Sequence, residues 1–196
     1  MKRGSAVVFL SLLVVVLASC VPVISLQPWY MEKDVIYEPE LEGSWSALDD
    51  QGKPDVGTTL TIARDGGNGY NFSYTEKEAP NVKITYSLHV FRVGEREFVD
   101  SVGGDSFYKD HRLDDQMKLG VHMAGKIKVE KDAVHIQMLD DEWLDKEIEA
   151  KRVLIRNESS GSTHLLTAST AELRELLTKN AADEKAFAVK IELKRR

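Results

Sequence analysis

From residue 43 to about residue 139, apolar and polar side chains alternate with a period of two, the period of a β-strand. Tyr70, Phe72 and Tyr74 point one way while Asn71, Ser73 and Thr75 point the other. Between Asn81 and Phe91, Val82, Ile84, Tyr86, Leu88 and Val90 form one face, opposite Lys83, Thr85, Ser87 and His89. Leu60 and Ile62 alternate with Thr59, Thr61 and Ala63. Turn chemistry separates these runs at Asp65-Gly66-Gly67-Asn68-Gly69, Glu78-Ala79-Pro80-Asn81 and Gly94-Glu95. One-sided alternation with short connections predicts an antiparallel sheet.

The next hairpin can be read to its register. If Lys131-Asp132 is its two-residue turn, Val129 falls opposite Val134 and Ile127 opposite Ile136, which places both pairs on one buried face. Beyond residue 139 the period changes. Asp140-Asp141 is positioned to cap a short helix carrying Trp143, Leu144 and Ile148. Residues Arg152 to Asn157 and Thr163 to Thr167 alternate like strands around a turn at Glu158-Ser159-Ser160-Gly161. Ser169-Thr170-Ala171-Glu172 is a capping box ahead of Leu173, Leu176 and Leu177. Phe187, Val189, Ile191 and Leu193 form the apolar face of a last strand. The pattern therefore predicts a mainly β fold with helices toward the C-terminus (α+β), built on roughly eight to ten strands. The antiparallel sheet can either stay open or close into a barrel.

The N-terminus follows another logic. Lys2 and Arg3 precede an apolar run from Ala6 to Ala18, interrupted only by Ser11. This run has the length of a signal-peptide core and falls short of the roughly 20 residues that span a bilayer. It ends in Leu17-Ala18-Ser19-Cys20, which resembles the bacterial lipobox: an aliphatic residue, two small residues and a cysteine. That resemblance implies cleavage before Cys20 and lipid attachment to it, in an envelope protein with its membrane as partner. Cys20 is the only cysteine, so an intramolecular disulfide is impossible, and acylation would remove a thiol that an oxidising compartment endangers. Val21 rather than Asp follows the cysteine, which in a two-membrane bacterium implies the outer membrane. The expected organisation is a leader over residues 1–19, a lipidated strap over 20–41 and a single β-rich domain over 42–196. The strap carries Pro22, Pro28 and Pro39 with Trp29, Tyr30, Ile36 and Tyr37, a stiff apolar segment suited to lying on the domain. Trp29-Tyr30 fits either that packing or the lipid headgroups.

Charge narrows the partners. The precursor has 26 basic and 32 acidic side chains, and loss of Lys2 and Arg3 leaves a formal charge of −8 (24 against 32). An acidic domain repels nucleic acid and anionic surfaces.

Two segments carry a family resemblance. Leu41-Glu42-Gly43-Ser44-Trp45 resembles the Gly-x-Trp start of lipocalin-like barrels, in which the tryptophan plugs the closed end; the later Thr-Asp-Tyr motif of those proteins has no counterpart here. Together with Gln27-Pro28-Trp29-Tyr30 and Leu166-Thr167-Ala168-Ser169-Thr170, it is similar to a group of small uncharacterised bacterial lipoproteins. The latter resemblance implies anchoring and a shared fold, and no activity.

Candidate chemistry is sparse. His89, His122 and His135 fall on polar faces and His111 in a loop, none at metal-ligand spacing, so they read as solvated residues. Asp100, Asp105, Asp110, Asp114 and Asp115 surround Gly103-Gly104 without calcium-loop spacing and read as an acidic loop. No Gly-x-Ser-x-Gly is present and no Ser-x-x-Lys with its partner motifs, so no catalytic, metal or cofactor residue is assigned. Two functions remain. One is an interaction or structural module that meets an envelope protein. The other is a barrel carrier for a small apolar ligand. The apolar side chains are large enough to fill a small barrel, which favours the module.

Overall fold

The computed structural model describes residues 22–77, 83–103, 120–160 and 163–196. Cys20, the leader 1–19, His111, Asp105, Asp110, Asp114 and Asp115 lie outside them. The strands are β1 (Ile24–Ser25), β2 (Gly43–Ala47), β3 (Thr58–Arg64), β4 (Tyr70–Glu76), β5 (Lys83–Val93), β6 (Arg96–Gly103), β7 (His122–Glu130), β8 (Ala133–Met138), β9 (Asn157–Ser160), β10 (Thr163–Leu166) and β11 (Val189–Arg195). Helices α1 (Asp141–Glu149) and α2 (Thr170–Asn180) lie between β8 and β11.

Strands β2 to β8 pair in sequence, each antiparallel to the next, and β11 bridges β8 and β2. The result is a closed eight-stranded barrel, which leaves no edge strand in the ring. In the β7–β8 hairpin Ile127 sits opposite Ile136 and Val129 opposite Val134, the register that the alternation requires. Strands β1, β10 and β9 continue the sheet outside the ring. β1 pairs antiparallel with β7 and parallel with β10.

Both faces of one wall are buried. Val90 and Val99 point into the barrel, while Phe91, Phe98 and Ala124 point outward into a second core. That outer core is supplied by Val23 and Trp29 from the strap, Trp143 and Leu144 from α1, and Leu173, Leu176 and Leu177 from α2. The Asp140 carboxylate accepts from the Trp143 amide at 2.8 Å to start α1, and Ser169 and Glu172 form the reciprocal capping box that starts α2. Their apolar stripes then cover Phe91 and Phe98, whose rings stack 5.7 Å apart.

Two strand assignments change. The segment 152–156 is not a strand; the ladder runs from Asn157 to Ser160, so residues read as a turn pair with β10, Leu165 opposite Glu158. The alternation there is real but has another cause: Val153 and Ile155 pack on the outer core without a ladder partner strand. The last strand starts at Val189 rather than Phe187. Phe187 belongs to the outer core, whereas Val189, Ile191 and Leu193 face the barrel interior.

Candidate ligand cavity

The floor of the barrel is built around Trp45. Its ring is fully buried, and its indole N–H donates to the Leu41 carbonyl at 3.0 Å. The Arg195 guanidinium lies over that ring, 4.2 Å from its centre, and is pinned by donating to the Glu42 carbonyl at 2.9 Å and the Lys131 carbonyl at 2.7 Å. Gly43 is required beneath it. Its φ is +142°, and a β-carbon would come within 2.4 Å of an Arg195 Nη atom. Leu41, Tyr70, Leu88 and Val90 complete the seal, and the Tyr70 hydroxyl donates to the Glu38 carbonyl at 3.0 Å. This end is therefore closed by packed side chains held by backbone carbonyls.

Above the floor the side chains do not meet. A cavity of about 670 Å³ remains, lined by inward residues of all eight ring strands, among them Ile62, Phe72, Tyr86, Val99, Met123, Ile127, Ile136 and Ile191. Ile191 faces inward and yet is 39% exposed, because the space in front of it is empty. The side chains were expected to fill the interior, and those of the described residues do not. An eight-stranded ring sits at the diameter where either outcome is possible, and here the choice of residues in the upper layers leaves room.

The lining holds few polar groups. The Tyr74 hydroxyl donates to Glu76 at 2.7 Å, and burial, with that carboxylate second, pushes its pKa up to about 12. Tyr74 is thus a neutral donor at any physiological pH. Glu76 and Pro22 mark the open end, and Ser101 and the Tyr86 hydroxyl are the other polar groups of the lining. Among the described lining residues there is no cation. The chamber thus suits apolar matter, with polarity confined to a few points.

Outside the ring, the expected polar faces are partly covered. The strap crosses the wall carrying His89 and His122, so these histidines are not solvated as expected. Asp100, expected in a loop, lies in β6 and is fully buried. One carboxylate oxygen accepts from the Trp29 amide at 3.0 Å and the other meets His122 Nδ1 at 2.8 Å. Tyr30 stacks on His89 at 4.4 Å. Trp29 itself is fully buried, so of its two readings the structure has the packed one. His135 remains open and pairs with Glu192.

One polar cluster has no sequence signal. Buried His164 joins Asp145 through Nε2 at 2.8 Å and Ser159 through Nδ1 at 2.9 Å, the members of a Ser-His-Asp set. The Ser159 proton, however, goes to Asn157 Oδ1 at 3.0 Å, and that same oxygen lies 3.1 Å from His164 Nδ1. The cluster ties the β9–β10 hairpin to α1, with Asp145 on one side of the imidazole and Ser159 and Asn157 on the other. Nearby Asp141 has its pKa raised, chiefly by burial. Its position in the fold, three elements converging, could not be read from spacing along the chain.

Among the described residues, no three His, Cys, Asp or Glu side chains are grouped to hold a metal, and no helix is long and apolar enough to cross a membrane. No protein family, curated protein or solved structure matches the chain.

Proposed function

We propose that the mature chain is a lipid-anchored carrier of the bacterial envelope that holds one small apolar molecule inside its barrel. The observation that supports this most is the unfilled apolar chamber of about 670 Å³, within the roughly 300–1,000 Å³ typical of small-molecule sites. A floor sealed by the tryptophan of Gly43-Ser44-Trp45 is in keeping with a lipocalin-like barrel. The anchor rests on Leu17-Ala18-Ser19-Cys20 after a basic, apolar leader. Its destination would be the outer membrane in a host with two membranes.

The interaction module has one observation in its favour. Leu154 is 87% exposed, beside a shallow groove between residues 152–155 and α2. That groove is about 180 Å³, small against the barrel chamber.

Titration of a soluble form beginning at Val21 with a fluorescent fatty acid, read through the tryptophans, tests the carrier. Saturable one-to-one binding at micromolar or lower concentration is expected, and absence of binding to this and to uncharged apolar probes would overturn it. Mass spectrometry of the N-terminal peptide should find acyl chains on Cys20. A wild-type peptide without them would remove the anchor and leave the carrier reading to stand alone.

A further inference from the structure

The chain enters the barrel at its open end. Pro22 lines the chamber there and forms a β-bridge with Asp140. The next residue, Val23, is fully buried and donates its amide to the Leu139 carbonyl at 3.0 Å. Ile24 and Ser25 are then locked between β7 and β10. The N-terminal strap is therefore fastened to the rim from its first described residue, with no slack on the barrel side.

Cys20 is two residues before Pro22, and two residues span at most about 7 Å when fully extended. Lipid on Cys20 would thus begin within one side-chain length of the rim. A bilayer holding that lipid has to lie at the same end, because the tether cannot reach round a barrel to the floor. The connection from β2 to β3 lies at this end too, and its Val56 is 83% exposed, an apolar side chain in that connection. The Gly94-Glu95 turn between β5 and β6 lies at the opposite, closed end.

We propose that the open mouth of the barrel rests on the bilayer that holds Cys20, and that the chamber takes acyl chains of membrane lipids directly from that bilayer. This rests on both the carrier and the anchor readings above. The apolar lining continues the hydrocarbon phase, so a chain passes from one to the other without crossing water.

The test uses the full lipidated protein on phosphatidylcholine vesicles. An environment-sensitive dye is attached through Val56→Cys or, separately, Glu95→Cys, since a lipidated Cys20 has no free thiol. A quencher carried on the upper acyl chain of the vesicle lipid should dim the dye at position 56 several-fold more than at 95. Inserting about ten Gly/Ser residues between Val21 and Pro22 gives the barrel slack. The difference should then collapse, and loading of a fluorescent fatty acid from the vesicles should slow about tenfold. Equal quenching at both positions, or loading at one speed with and without the spacer, would overturn the proposal while leaving the carrier intact. A probe that enters neither form, in vesicles or in solution, would overturn both.

Discussion

Leu193 and Ile191 stand two residues apart on one strand and face the same interior, opposite Val134 and Ile136 respectively. Leu193 is 2% exposed, packed into the floor, whereas Ile191 borders the chamber at 39%. Truncation to alanine should therefore cost very different amounts. Leu193→Ala removes a fully buried side chain worth about 1.5–3 kcal/mol of transfer and leaves a new hole, for a total of about 3–4 kcal/mol. Ile191→Ala gives up only the buried share of its surface and opens no new hole, because the space beside it is already empty. Its cost should be about 1 kcal/mol. Urea titrations with a common slope would read both values from the midpoints. Equal losses at the two positions would mean that Ile191 is packed like Leu193 and that the chamber is filled. The same position supplies the converse test. Ile191→Trp adds volume where there is room, so it should cost less than about 1 kcal/mol, against the usual 1–3 for overpacking, while it blocks probe binding.

On the β7–β8 hairpin, Ile127→Ala should cost about 2–4 kcal/mol and Lys128→Ala, on the outer face, less than about 0.5 kcal/mol in the same titration; similar losses would show the two faces to be misassigned. Hydrogen bonds from Ser169 and the Arg156 guanidinium hold the Glu172 pKa at about 2, below its ordinary 4.5. A depressed carboxyl stabilises the fold fully above pH 4.5 and loses that contribution as pH falls toward 2, so the stability gap between wild type and Glu172→Gln should narrow over that interval; a constant gap would refute the coupling. Replacing Arg195 by methionine removes the cation from the Trp45 ring and leaves the Glu42 and Lys131 carbonyls without their donor. It should lower stability by about 2–3 kcal/mol and red-shift the tryptophan emission, and an unchanged spectrum with unchanged stability would show that the arginine does not seal the floor.

Local structure was legible wherever a short-range rule acts alone. The β7–β8 register follows from side-chain parity, because a slip of one residue would turn Ile127 and Ile136 out of the interior. The α2 capping box follows from four consecutive residues. Rules of this kind fail where a segment answers to two cores. Alternation in β5 marks Val90 as inward but says nothing of Phe91, which is equally buried on the outer wall. His122, read as solvated, and Asp100, read as part of a loop, fail for a related reason: Asp100 is covered from the strap by Trp29, 71 residues earlier in the chain, and itself holds His122. Val153 and Ile155 alternate like a strand because an extended segment lies on a core, and pairing is a separate matter decided by which ladder is within reach.

The chamber was harder still, because volume is not a property of any one strand. Parity names the inward residues correctly, from Ile62 and Phe72 through Ile127 to Ile191. Whether they touch across the barrel depends on its radius, and that depends on strand number and stagger, which arise only when β6 closes on β7 and β11 on β2. Near the floor, Trp45 with Leu41 and Tyr70 supplies enough bulk to meet in the middle. Higher up the ring presents branched and flexible side chains such as Ile136, Met123 and Met138, with Ser101 and Ala47 among them, and these fall short of one another. Side-chain size taken without regard to layer treats the two ends alike, and on that basis the barrel fills. Layer by layer, the bulk lies at one end and the vacancy at the other, and the chain threads in beside the vacancy at Pro22. Closed floor, open apolar mouth and N-terminal entry thus share one axis, as the tethered carrier proposed above would require.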